Sequence, residues 1–338
     1  MRDHPSLYVQ PFVVLGFLSL AVPTIVLVGL GGVGAVLSAQ SVATGAVLLL
    51  VVGGTMLGLR FEWRTVLRSS DVRPVGRREM LSDTAAVFGG AILALAVTVE
   101  LGLSPVVSAG LVGIAAALMT PRQAIPAYCG AFVGMTSPEL FPTYWHALLA
   151  SGIASGVFVL AQPVFYGVGG KLGTTAFVGA TITVLLTAGS FHSEPLPDTV
   201  TIVLVVGYAA IGAVATFSIH ARLPPDAVFA SGLVGAVGGV TLPAIHGDPG
   251  SLMAAAVFAA SFAGMAVPER IPSERWIALT GVIVGLLFVF TMPYLGGSGG
   301  KLGTIAFGSC LAIHGLLGTL HISRARRQLE GATRRDVT

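Results

Sequence analysis

Residues 11–32 run for 22 positions without a charged side chain, and stretches of the same character recur down the chain to residue 322. A hydrocarbon core about 30 Å thick is crossed by roughly 20 apolar residues of α-helix, so this is the segment length that a bilayer selects. Composition points the same way. A water-soluble domain carries about a quarter charged residues, whereas here 10% are charged and 54% hydrophobic. The chain lacks the polar side chains to cover itself and has to be solvated by lipid.

By that ruler, spans are expected at residues 11–32, 42–59, 84–102, 105–119, 144–162, 174–188, 199–219, 228–242, 252–267, 276–292 and 304–322. Residues 125–136 form a shorter apolar segment, either a thin span or a re-entrant helix sheltered by protein. Counting it gives an all-α polytopic membrane protein of about 12 transmembrane helices. Arginines gather at Arg60, Arg64, Arg68, Arg73, Arg77 and Arg78, and again at Arg324, Arg326, Arg327, Arg334 and Arg335. Basic residues concentrate on cytoplasmic flanks of spans, so both clusters are read as cytoplasmic, with the N- and C-termini inside a cell (inner) membrane. The net charge of +3 is then explained without nucleic acid. The first apolar stretch is too long for a cleavable signal and is followed by a second span. Cys129 and Cys310 lie singly in apolar segments, which indicates neither a disulfide framework nor a metal site.

The second half of the chain repeats the first. Residues 132–177 align without a gap on residues 262–307, with roughly two in five positions identical. The matches include the residues that punctuate structure. Pro138-Glu139 answers Pro268-Glu269, Pro163 answers Pro293, and Gly169-Gly170-Lys171-Leu172-Gly173-Thr174 returns as Gly299-Gly300-Lys301-Leu302-Gly303-Thr304. Upstream, Gly110-Leu111-Val112-Gly113 matches Gly232-Leu233-Val234-Gly235 after a change of register. The expected organisation is two N-terminal helices with a basic loop (residues 1–83), repeat 1 (84–190), repeat 2 (191–322) and a basic cytoplasmic tail (323–338). Five spans per copy is an odd number, which turns the copies over relative to each other in the 5+5 inverted plan of many secondary transporters. Of Arg122, Lys171, Arg222, Arg270, Arg275 and Lys301, that plan puts all but Lys301 on the cytoplasmic side.

Lysine occurs only twice, at Lys171 and Lys301, against 16 arginines, and both copies stand at the same place in the repeat. A composition so biased uses arginine wherever any positive charge will serve. A lysine is a compact point charge suited to binding an anion or standing in for a cation. The expected substrate-binding residues are therefore Gly169, Gly170, Lys171, Gly173 and Thr174 with Gly299, Gly300, Lys301, Gly303 and Thr304. The glycines expose backbone N–H groups, and Thr174 and Thr304 are read as caps of the following helices. A snorkelling lysine in an ordinary Gly-rich turn is the plainer reading of the same residues. Glu139 and Glu269 form a second matched pair, expected to couple or gate, with an interfacial cap as the alternative. His146 and His314 are read as core residues, and Ser151, Ser155, Gly281 and Gly285 as close-packing positions.

The Gly-Gly-Lys-Leu-Gly-Thr loop is similar in style to glycine-rich loops of inverted-repeat carriers. The expectation is a secondary transporter of a small anionic or zwitterionic solute or ion, its site at the interface of the repeats. A pseudo-symmetric channel and a non-transport membrane subunit or enzyme are the rivals. No catalytic set and no cofactor are expected, the partners are the lipid bilayer and the small solute, and homo-oligomerisation stays open. The arginine bias suggests a GC-rich prokaryote.

Overall fold

The computed structural model describes residues 11–38, 42–68, 76–222 and 226–335, from His321 onward as helix course alone. Among the described residues the fold is all-helical: α1 (Pro11–Leu37), α2 (Val42–Arg68), α3 (Arg77–Leu101), α4 (Pro105–Met119), a 3-10 turn (Pro121–Gln123), α5 (Ala124–Gly134), α6 (Tyr144–Ala161), α7 (Lys171–Leu186), α8 (Thr199–Arg222), α9 (Ala227–His246), α10 (Asp248–Gly264), α11 (Glu274–Phe290) and α12 (Lys301–Arg335). Seven of these are long and apolar enough to cross a membrane, and α4 and α7 are shorter apolar helices. This is the build of a membrane-embedded, multi-pass protein.

Starts and stops follow local chemistry. Ser104 accepts the N–H of Val107 ahead of Pro105 at the head of α4. Asp226 accepts the N–H groups of Val228 and Phe229 at α9, and Asp198 accepts those of Val200 and Thr201 at α8. Each satisfies donors that a helix start leaves open. Packing is inside out relative to a soluble protein. Ala91, Ala94, Ala109, Ala147, Ala150 and Ala209 are fully buried, while Leu50, Leu118, Val200 and Ile211 are exposed. With lipid as solvent, apolar burial gives no drive between helices, so small residues that let backbones approach carry the interfaces. At the α4–α9 crossing a Cβ on Gly110 would stand 2.8 Å from the Gly232 carbonyl oxygen, and one on Gly232 2.7 Å from that of Gly110.

Side-chain contacts fix which helix ends lie together. Gln123 donates to Ser82 at 3.0 Å and Gln162 to Asp83 at 3.2 Å, so the start of α3 meets the head of α5 and the end of α6. Tyr144 donates to Glu100 at 3.2 Å, which puts the head of α6 at the other end of α3. The chain therefore passes from one end of α3 to the other between Gln123 and Tyr144, although α5 has only 11 residues, roughly 16 Å of helix. The turn at 135–143 completes the passage.

Three expectations are corrected. The basic stretch 60–83 is not a loop throughout, because α2 continues through Arg60, Arg64 and Arg68 and α3 already starts at Arg77, while residues 69–75 lie outside the described residues. Arg73 lies outside the described residues. The boundary at 322 is not a helix end, since α12 runs on to Arg335. Finally, α7 and α12 start at Lys171 and Lys301 rather than at the threonines, and Thr174 and Thr304 are not caps: their hydroxyls donate back to the carbonyls of Gly170 and Gly300.

Candidate functional site

The two Gly-Gly-Lys-Leu-Gly-Thr segments meet at the centre of the molecule. Gly170 (φ 84°) and Gly300 (φ 81°) take the left-handed conformation that glycine adopts without strain and turn the chain into α7 and α12. The first turns of these helices then cross in backbone contact: a Cβ on Gly173 would stand 2.5 Å from the Gly303 Cα. The preceding loops are held by the opposite half of the chain. Ser137 donates its N–H to the Gly297 carbonyl at 2.9 Å, and Val267 donates to that of Gly167 at 3.0 Å. Phe165 and Leu295, equivalent in the repeat, are non-glycine residues at φ 54° and 53°. Strain of this kind persists only where the surroundings over-determine it.

Lys171 and Lys301 are not brought together. The Lys171 ammonium donates to the carbonyls of Gln162 (3.3 Å) and Val164 (2.6 Å) behind α6. Lys301 donates to those of Thr291 (2.7 Å) and Tyr294 (2.6 Å) behind α11. A helix end leaves carbonyls without partners, and a three-donor point charge reaches two of them where a planar guanidinium would have to be accommodated whole. In both halves the lysine opening one helix thus fastens the end of the one before. Two of its three protons are used, leaving one donor for a ligand.

Two cavities lie against Lys171. A cavity of about 260 Å³ is lined by Gly169, Gly170 and Lys171 together with Phe132, Phe262, His220 and Asp226. A second, of about 380 Å³, is lined by Glu79, Asp83, Arg122, Gln162 and Tyr166 and again by Lys171. Ile125, Gly167, Lys171 and Leu172 border both. The first cavity is walled mostly by apolar residues, the second carries several charged ones, and Lys171 borders both.

Glu139 and Glu269 sit exposed in the turns that follow α5 and α10. The carboxyl of Glu139 is held below the usual range by its own backbone N–H. Neither lines the two cavities around Lys171. Cys129 and Cys310 are buried free thiols. Among the described residues no group of His, Cys, Asp and Glu could hold a metal ion.

A charged cluster escaped the sequence reading. Glu62 on α2, 3% exposed, is paired with Arg270 in the turn between α10 and α11, and His314 on α12 lies within 3.5 Å of the same carboxylate. The available signals were one acidic residue among the arginines that follow the second apolar stretch and an arginine where the other copy has Leu140. Comparison with known proteins finds no matching family, no matching curated protein and no matching solved structure.

Proposed function

We propose that this chain is a secondary carrier of a small anionic or zwitterionic solute, built on an inverted 5+5 repeat behind two scaffold helices, with the binding place beside Lys171. The observation that carries the reading is the position of Lys171, bordering one mostly apolar cavity and one with several charged residues, with one donor to spare. Apolar walls with a few convergent polar groups are the usual make-up of a small-molecule site. Backbone N–H groups at the head of α7 add positive potential on the same side.

The inverted arrangement is supported by which ends lie together. Lys171 shares a cavity with Glu79 near the start of α3, and another with His220 near the end of α8. Equivalent helices α3 and α8 thus bring opposite termini to one end, as a turned-over copy requires. Arg122, Arg222 and Arg270 gather at that end too, which favours it as the cytoplasmic one. The backbone contact between Gly173 and Gly303 leaves no room there for a file of ions and favours a carrier over a channel.

The test is uptake of labelled glutamate, alanine and sulfate by reconstituted vesicles. Lys171→Met is expected to lower uptake at least tenfold with the fold retained by circular dichroism. Unaltered uptake would remove this cavity from the mechanism.

A further inference from the structure

Arg270 directs donors from all three of its nitrogens to one place. Its Nε donates to the Tyr166 carbonyl at 2.8 Å, its Nη2 to Glu62 Oε2 at 3.2 Å, and its Nη1 to Glu62 Oε1. Three parts of the chain are joined by this one guanidinium: α2, the turn after α10, and the loop that leads into Lys171. Glu62 itself is rigidly placed. One turn back, Gly58 packs against the Leu311 carbonyl of α12, and one turn further back Gly54 packs on Ala312. A carboxylate buried among apolar helices is costly and marks function more often than stability.

The geometry of His314 is an either-or. Its Nε2 lies 3.2 Å from Arg270 Nη1 and 3.5 Å from Glu62 Oε1. An unprotonated Nε2 accepts from the guanidinium and leaves Oε1 to Arg270. A protonated Nε2 has no lone pair to offer, repels the guanidinium, and donates to Oε1 in its stead. The proton comes from the adjoining aqueous phase, stays on Nε2, and takes the ring from neutral to cationic; no other bond to hydrogen changes. Arg60 and Arg64 flank Glu62 on its own helix, and Glu269 precedes Arg270 in its turn. Lys171 on α7 acts on both Glu62 and Arg270, α1 carries no charged residue, and on α11 Glu274 is held by Arg222 at 2.7 Å while Arg275 is exposed.

We propose that Glu62 and His314 form a proton-binding latch: a proton arriving on His314 Nε2 draws Glu62 Oε1 away from Arg270 and unfastens the Tyr166 carbonyl at the edge of the Lys171 cavities. The latch deepens the carrier reading and rests on it for its purpose, since it supplies the coupling ion. Proton uptake loosens the 162–170 loop, and with it the access of solute to the cavities beside Lys171.

Trp63 is a built-in reporter. Its ring lies 5.1 Å from that of Phe17, which stacks at 4.9 Å on Phe165, the neighbour of Tyr166. In W145F/W276F protein in lipid nanodiscs, Trp63 emission titrated from about pH 5 to 8, the range of histidine, is expected to show a single one-proton transition. Both His314→Gln and Glu62→Gln should remove it. A flat titration in the parent protein overturns the latch without recourse to any variant, as does a transition that persists in both substitutions. A second arm separates latch from carrier. In vesicles loaded with a pH dye, external glutamate or sulfate should drive proton movement that His314→Gln abolishes. An intact Trp63 transition with no solute-driven proton movement supports the latch and counts against the carrier reading.

Discussion

At positions 171 and 301 the side chain has to pass from the head of one helix to the last carbonyls of the helix before it, and a slender ammonium does this where a guanidinium does not fit. Lys301→Met is expected to cost about 3–6 kcal/mol, from two charge-assisted hydrogen bonds. Lys301→Arg should recover little of it, as read from thermal unfolding in detergent. Asp198 offers a pH test at the same scale. The Thr201 hydroxyl first, then the Thr201 N–H, hold its carboxyl below the usual range. A depressed folded value contributes stability above the unfolded pKa near 4 that is lost as pH falls through the folded one. The stability gap between the parent protein and Asp198→Ala should therefore close as pH falls below about 4. The exclusive use of lysine was legible in the sequence, because composition alone made it odd. The Glu62–Arg270–His314 cluster was not, because Glu62 and Arg270 stand 208 residues apart and neither carries a local motif.

At the scale of elements, the crossing of α7 and α12 is the tightest joint. Gly173→Ala puts a methyl group against main chain on the partner helix, where no flexible side chain can give way. It should cost about 1–3 kcal/mol, the range for overpacking, and depress uptake; a shift in unfolding temperature indistinguishable from zero would mean that the helices part easily. Hydropathy and proline placed most helices within a few residues of where they lie, since both report directly on lipid contact and on the end of a hydrogen-bonded ladder. Hydropathy failed where polar residues extend a helix past its most apolar stretch. Arg60, Arg64 and Arg68 recur every four residues, a helical spacing that a hydropathy ruler discards. The threonines misled for a related reason: Thr174 has the side chain of a cap, but Gly170 already turns the chain one step earlier.

For the whole molecule, the turned-over repeat makes a prediction that needs no substrate. Cysteines introduced at Glu139 and Glu269, both exposed at equivalent turns, should react from opposite sides of the membrane: Glu139→Cys with an impermeant maleimide added outside, Glu269→Cys only after permeabilisation. Labelling of both from one side would rule out the inversion. What the sequence offered was the recurrence of glycines and prolines, Gly169 to Thr174 returning as Gly299 to Thr304. That α2 is clasped to α12 could not be read there, since nothing in the first 83 residues recurs. That clasp also sets a schedule for biogenesis. At about 5–20 residues per second, a ribosome that has made Glu62 needs roughly 10–40 seconds more to make Arg270. Through that interval the carboxyl group must enter the bilayer as a neutral acid or wait at its surface, so α2 settles to its final depth only when the nascent chain delivers its counter-charge.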